Sequence, residues 1–187
     1  EKAIVKATDP NDSFPKDKHV RTIICACGDE RQCAAIYSLL IQKIVKGNPV
    51  TQMKCLQIIH RLMLDGPERA CTKMAFDTRW IPQLERFKQS QPQNVSTQIF
   101  IQYLHMLQSK VELHSNNPIV PGSMDPDVFK KALGRSPLTN FAQVSQLVKP
   151  LLSHLQVCQE NTDLILRTLQ MRRIMSLMAM LVTLMRE

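Results

Sequence analysis

The sequence predicts an all-α protein, a solenoid-like stack of about ten helices joined by short turns. Three observations carry that prediction. Apolar residues recur at helical spacing, and nowhere do they alternate with the period of two that a half-buried strand requires. Eleven prolines and only five glycines fall mostly at the ends of those runs, where they punctuate rather than interrupt. Asn, Asp and Ser stand at several run starts, as helix N-caps do. No repeat of fixed length is present, so the stack is irregular.

The elements follow in order. Residues 2–8 form a short helix stopped by Asp9-Pro10. Residues 15–27 form the second, with Asp12 or Ser13 as the expected N-cap, Pro15 in the first turn and Gly28 at its end. Asp29 caps a third, whose Tyr37, Leu40, Ile41 and Ile44 share a face, and Gly47 closes it. Asn48-Pro49 opens the fourth, with Met53, Leu56, Ile59/His60 and Met63 as its stripe, ending at Asp65-Gly66-Pro67. A short fifth covers 67–75, and a sixth runs from Thr78 to Ser90 with Trp80, Leu84 and Phe87 on one side. Asn94 caps a seventh that carries Ile99, Tyr103, Met106/Leu107 and Lys110/Leu113 and ends near Ser115–Pro118. After the loop 119–123 come a short helix, Pro126–Leu133, and a longer one opened by Ser136-Pro137. The longer one bears Leu138, Phe141, Val144, Leu147, Leu151 and Leu155 and is kinked by Pro150. The last helix begins near Thr162.

With 187 residues, 44% of them apolar and 21% charged, the chain has the profile of a globular domain. Its net charge of +8 points to an anionic partner, either a membrane surface, a nucleic acid or an acidic peptide. The excess is spread along the chain, which excludes a basic tail. The six cysteines form no CxxC pair and no zinc spacing, so free thiols, a reducing compartment and no metal are expected. The longest apolar run, Ile174–Met185, has 12 residues and is too short to span a bilayer. The chain begins without Met and reads as a segment of a longer protein.

The stretch that concentrates chemistry is Lys6-Ala-Thr-Asp-Pro-Asn-Asp-Ser-Phe-Pro-Lys16-Asp-Lys18-His19. Lys16, Lys18 and His19 stand in or just before the first turn of a helix, where backbone amides are unpaired and the dipole is positive. Lys6 can reach the same place across the loop. Cations are mildly unfavourable at a helix N-terminus, so the cluster serves no obvious structural purpose, yet it suits an anion bearing several phosphates. Asp9, Asp12 and Asp17 would weaken such a site if they pointed inward; helix phase turns Asp17 away.

These residues resemble the phosphoinositide site of the ANTH domain, with Lys16, Lys18 and His19 at +10, +12 and +13 from Lys6. Three further stretches are similar to the huntingtin-interacting-protein-related, Sla2-like branch of that family. They are Lys18-His19-Val-Arg21-Thr22, Leu62-x-Leu64-Asp65-Gly66, and Lys110-Val-Glu-Leu-His114-Ser-Asn-Asn-Pro118-Ile-Val-Pro121-Gly122. The last pattern separates this branch from the clathrin-assembly-protein branch. The resemblance covers residues 1 to about 125 well and the remainder loosely. It implies a right-handed superhelix of the ENTH/VHS type, with residues 1–187 a single phosphoinositide-binding domain truncated on its C-terminal side. The apolar face of Ile174–Met185 then belongs to a core completed further along.

The resemblance also implies a mechanism. Phosphatidylinositol 4,5-bisphosphate on the cytoplasmic leaflet of the plasma membrane would be held by Lys16 and Lys18. Lys6 would close the far side, and His19 would donate from its ring, better when protonated. Arg21 is a neighbouring surface contact. Four basic side chains at roughly 1 kcal/mol each give roughly 4 kcal/mol, a millimolar affinity, so stable attachment needs multivalency. In the family that comes from dimerisation and from co-assembly with epsin ENTH domains, and the whole proteins link clathrin coats to actin. Nothing at the N-terminus forms an amphipathic insertion helix, so bilayer wedging is not expected.

No Gly-rich phosphate loop, GxSxG, HExxH or close acid pair is present, so neither an enzyme nor a cofactor is expected. His60, His105 and His154 lie on or beside apolar stripes, which suits core or boundary roles. The ten methionines read as core filler or a partner groove. Nucleic-acid binding is the rival reading of the charge, but with only nine aromatics in the chain no platform for stacking bases is expected at the basic cluster. A VHS-type peptide-binding module is the other, and it leaves the lysine spacing unexplained.

Overall fold

The computed structural model describes residues 1–10, 14–67, 80–133, 146–147, 149–157, 172, 174–176 and 178–181. Among them every regular element is helical. The helices are α1 (Lys2–Ala7), α2 (Asp17–Ala26), α3 (Glu30–Lys46), α4 (Pro49–Asp65), α5 (Trp80–Gln89), α6 (Val95–Asn116) and α7 (Pro126–Leu133). Residues 149–157 are helical as well. The expected helix over 67–75, the start of the one after Ser136-Pro137 and the beginning of the last one lie outside the described residues. The chain divides into two compact units, Glu1–Leu104 and His105–Glu187.

In the first unit, α4 is the central element. It packs on α2 and α3, which also meet each other, and α3 meets α5. The expected one-sided stripe is in fact burial nearly all round: Cys55, Leu56, Ile58, Ile59, Leu62 and Leu64 are all buried, whereas Met53 is half-buried. A helix enclosed by neighbours cannot keep a polar face. Its polar residues are accommodated individually. His60 Nδ1 lies 2.9 Å from the Tyr103 hydroxyl, so this histidine is a core residue. Around α4, the core takes Ile4 and Ala7 from α1, Val20 and Ile23 from α2, and Tyr37, Leu40 and Ile44 from α3.

The caps follow the sequence where a short acceptor precedes a run. Asp29 accepts from the Gln32 amide at 2.8 Å, Asn48 from Thr51 at 2.9 Å and Asn94 from Thr97 at 2.9 Å. The start of α2 departs from expectation. Asp12 and Ser13 lie outside the described residues, and the N-cap position belongs to Lys16, which provides no side-chain cap. Pro15 therefore precedes the helix instead of entering its first turn. Lys16 is extended (φ −66°, ψ 124°), and its carbonyl accepts from His19 and Val20.

Glycine matters at one junction for lack of space. A Cβ on Gly47 would lie 2.6 Å from the Lys43 carbonyl oxygen and 2.8 Å from Thr51 Cγ2. The α3–α4 turn is drawn tight by Gln52, whose amide donates to both the Ile44 and Gly47 carbonyls at 3.0 Å.

In α5, Trp80, Ile81 and Leu84 are buried, and Phe87 is half-buried. Lys88 lies deeper, its ammonium 4.8 Å from the centroid of the Phe100 ring. Burial lowers its pKa, and the ring's negative face offsets part of that cost.

The second unit explains one of the sequence patterns. Lys110 and His114, one turn apart on α6, are both buried. Lys110 Nζ donates to the Gly122 carbonyl at 2.8 Å and lies 3.0 Å from His114 Nε2; His114 Nδ1 lies 3.1 Å from the Val120 carbonyl. A lysine can only donate, so Nε2 accepts and Nδ1 carries the proton toward Val120. The motif Lys110-x-x-x-His114-x-x-x-Pro118-x-x-Pro121-Gly122 is thus a buried clamp on the loop after α6. In the same loop Met124 sits at φ 54°, a left-handed conformation that costs a non-glycine residue about 1 kcal/mol or more, with its amide donating to the Pro121 carbonyl at 2.8 Å. Met175, near the end of the described chain, is 58% exposed, and Met178 and Met180 are half-buried, so this methionine group is not uniformly core. His154 is buried with Ser109 Oγ 2.9 Å from its Nδ1, whereas His105 is exposed.

Two consequences are measurable. Gly47→Ala should lower unfolding free energy by about 1–3 kcal/mol, read from denaturant melts, because backbone rather than a movable side chain blocks the new methyl. His114 is held well below its ordinary 6.5, first by burial and then by the charge of Lys110, with the Val120 carbonyl pulling the other way. A histidine whose folded pKa is depressed stabilises the fold above the unfolded value, and the unfolded chain takes up the proton first as pH falls. The urea midpoint should therefore drop between pH about 7 and about 5.5, with a shallower dependence in His114→Gln.

Candidate functional site

The basic stretch folds around a cavity of about 260 Å3 in the first unit, lined by Lys6, Asp9, Phe14, Lys16, Lys18, His19 and Lys54. Each cation arrives from a defined place. Lys6 stands in the last turn of α1, where a positive charge suits the carbonyl end of the dipole. Thr8 closes that helix, its hydroxyl donating to the Ile4 carbonyl at 2.8 Å. Lys16 lies at the N-cap of α2, and Lys18 and His19 occupy its first turn.

The loop carrying these residues is tied to α4. Thr51 Oγ1 donates to the Thr8 carbonyl at 3.2 Å, and Lys54 Nζ donates to the carbonyl of Asp9. Thr51 and Lys54 are three residues apart and so share a face of α4, meeting two consecutive carbonyls of the loop. Lys54 is 95% buried, yet it still adds its charge to the cavity lining.

Asp17 turns away from the lysines, as helix phase predicts. Its carboxylate lies 3.5 Å from Arg61 of α4, which also pairs with Asp65 at 2.6 Å. Both pairs are partly exposed and contribute little energy, but they keep that carboxylate out of the cavity. Asp9 lines the cavity, while Asp12 lies outside the described residues. Arg21 is exposed and absent from the lining, about 200° around α2 from His19.

His19 feels the cluster. Partial desolvation, then the positive charges of Lys18, Lys6 and Lys16, lower its pKa from 6.5. In the free protein the imidazole is therefore neutral at neutral pH. A polyanion entering the cavity would cancel that repulsion and favour the imidazolium.

The profile of the ANTH domain matches residues 1–185. The chain belongs to the ANTH domain family. Huntingtin-interacting protein 1 of Homo sapiens is 25% identical over 144 residues, 76% of this chain and 14% of its own length. Huntington interacting protein related 1 of Caenorhabditis elegans is 25% identical over 123 residues, covering 66% of this chain and 13% of its own. Protein SLA2 of Saccharomyces cerevisiae is 25% identical over 117 residues, 63% and 12% respectively. These matches place the ANTH chain in the huntingtin-interacting-protein-related branch, and it spans no more than 14% of these three relatives. Among solved structures, the ENTH domain from epsin-2 in complex with phosphatidylinositol 4,5-bisphosphate superposes with a TM-score of 0.70. It is 22% identical and covers 98% of this chain and 77% of that one. The shared fold is the helical superhelix expected of an ANTH domain.

Within this ANTH chain, sequence reasoning missed Lys54 and Phe14. Lys54 sits on the largely buried α4, 35 residues or more from every other cation of the cavity; its only sequence signal is a lysine where the helical pattern wants an apolar residue. Cys55, next to it, has its thiol pushed up to about 12 by burial and is inert.

The electrostatic coupling is testable without a ligand. Removing one lysine charge by Lys6→Gln should raise the His19 titration midpoint toward 6.5, as followed by imidazole proton shifts in NMR. Desolvation, the larger cause, should keep it from returning fully.

Proposed function

We propose that this chain is a non-enzymatic, peripheral membrane-binding module that recognises phosphatidylinositol 4,5-bisphosphate at sites of clathrin-mediated endocytosis. The observation that carries this reading is the convergence of Lys6, Lys16, Lys18 and His19 on one cavity, where sequence separation alone would leave them on two helices and a loop. Lys16 and Lys18 hold phosphates as mobile point charges, Lys6 closes the α1 side, and His19 donates to a phosphate oxygen. Lys54 adds a fixed cation at the floor. Arg21 meets the surrounding headgroups rather than the bound one. Residues 1–187 act as one lipid-binding domain.

The fold shared with a bisphosphate-bound ENTH domain supports this reading, as does the similarity to Endocytosis protein end4 of Schizosaccharomyces pombe, 26% identical over 125 residues. Among the described residues no helix is long and apolar enough to cross a membrane, which suits attachment from one side, at the cytoplasmic face of the plasma membrane and its coated pits. Linkage to clathrin and actin, and co-assembly with epsin ENTH domains, would belong to the full-length protein. The VHS-type peptide reading leaves the four-residue convergence without a purpose.

The test is liposome co-sedimentation at about physiological salt, where exposed charges are screened beyond about 8 Å. Vesicles containing phosphatidylinositol 4,5-bisphosphate are compared with phosphatidylserine vesicles of equal charge. Wild type should bind the former only, and Lys16→Ala/Lys18→Ala should lose at least tenfold in affinity, given about 1 kcal/mol per lysine. Equal binding to both membranes reduces the cavity to a generic basic surface. Because the bound anion raises the His19 pKa, binding should strengthen as pH falls below 6.5.

A further inference from the structure

An apolar groove of about 280 Å3 adjoins the cationic cavity. Phe14, Val50, Met53 and Ile99 are among its lining residues, and it shares Phe14 and Lys54 with the cavity. Phe14 is 60% exposed and Val50 38% exposed. On the other side, a hollow of about 360 Å3 shares Asp9 with the cavity and includes Val5, Lys43 and Lys46; Val5 is 52% exposed. Exposed apolar side chains thus flank a cavity that is itself cationic, all within the first unit.

We infer that this face docks on an anionic bilayer with Phe14, and to a lesser extent Val50, buried in the interfacial layer beside the occupied cavity. The inference rests on the phosphoinositide reading and adds a second, apolar component to it. The argument is one of matching layers. A bilayer offers anionic phosphates at its surface and apolar matter just beneath them. The face offers lysines for the first, and next to them a phenyl ring with no apolar cover for the second. Phe14 borders both hollows, so a headgroup held in the cavity leaves the ring level with the lipid's glycerol and upper acyl region. One ring and one valine anchor a protein without wedging the leaflet apart.

The experiment separates headgroup from bilayer. Soluble inositol 1,4,5-trisphosphate is titrated into wild type, Phe14→Ser and Val50→Ser, and all three are then sedimented with phosphatidylinositol 4,5-bisphosphate vesicles. Val50→Ser, which lines the groove and not the cavity, should bind the trisphosphate as wild type does and lose part of its vesicle affinity. Phe14→Ser, which borders both, should lose about tenfold more on vesicles than on the trisphosphate, the scale of burying most of a phenyl group. In Phe14→Trp the new indole should shift to the blue on vesicles and be quenched by brominated acyl chains; Trp80, the one native Trp, is buried and supplies a constant background. Unchanged vesicle affinity in Phe14→Ser, or an unshifted Phe14→Trp spectrum, overturns the inference and leaves the groove to a protein partner. Vesicle binding with a shifted indole but no trisphosphate binding upholds it and sinks the headgroup reading instead. Failure of wild type to bind either probe overturns both.

Discussion

The seat of the α1–α2 loop on α4 is the constraint on which the cavity depends. Two neighbouring carbonyls of that loop, Thr8 and Asp9, accept from side chains of α4. Thr51 and Lys54 satisfy them from one helical face. That contact requires α4 to start close to the end of α3, and the missing side chain of Gly47 leaves room for Thr51. The glycine turn, the central helix and the loop of lysines are therefore one linked arrangement. With the loop held, Lys6 at the end of one helix and Lys16, Lys18 and His19 at the start of the next cannot drift apart.

Like charges brought together repel, and after desolvation, the larger cause, that repulsion contributes to the lowered pKa of His19. The folding core of α1–α4 bears that cost, so an incoming polyanion finds the cations already gathered and loses little entropy in ordering them. On the proposed reading the arrangement is modest in strength, because three exposed lysines and His19 at roughly 1 kcal/mol each would give millimolar rather than nanomolar affinity. The inferred apolar contact beside the cavity would raise affinity through a different physical effect, one that salt does not screen.

The Lys110–His114 clamp uses the same logic in the second unit, with a different result. There too a buried lysine meets a backbone carbonyl, but its second contact is a neutral imidazole rather than an open cavity. The clamp is closed, and its pattern in the sequence marks loop geometry, not a binding site. A lysine and a histidine four residues apart look alike on paper whether they clasp a phosphate or a loop; burial decides which.

Helix content, the capping residues Asp29, Asn48 and Asn94, and the basic cluster Lys16, Lys18 and His19 were legible in the sequence because each is local. Caps act over three residues, amphipathic stripes over four, and the Lys16–His19 cluster lies within a single turn. Other features were not legible. Lys54 and Phe14 join the cavity only through contacts across long stretches of chain. The N-cap of α2 fell on Lys16 rather than on a better capping residue. Nor could the helical pattern say that α4 is enclosed on most sides, since period and composition describe one helix and not its neighbours. By itself the sequence determined which residues form helices and which local cluster carries positive charge, because backbone hydrogen bonding and side-chain spacing are set within a few residues. Only the tertiary structure decided which lysines face a cavity, which clamp a carbonyl and which aromatic ring stays uncovered. Those outcomes depend on where distant helices bury one another's surfaces.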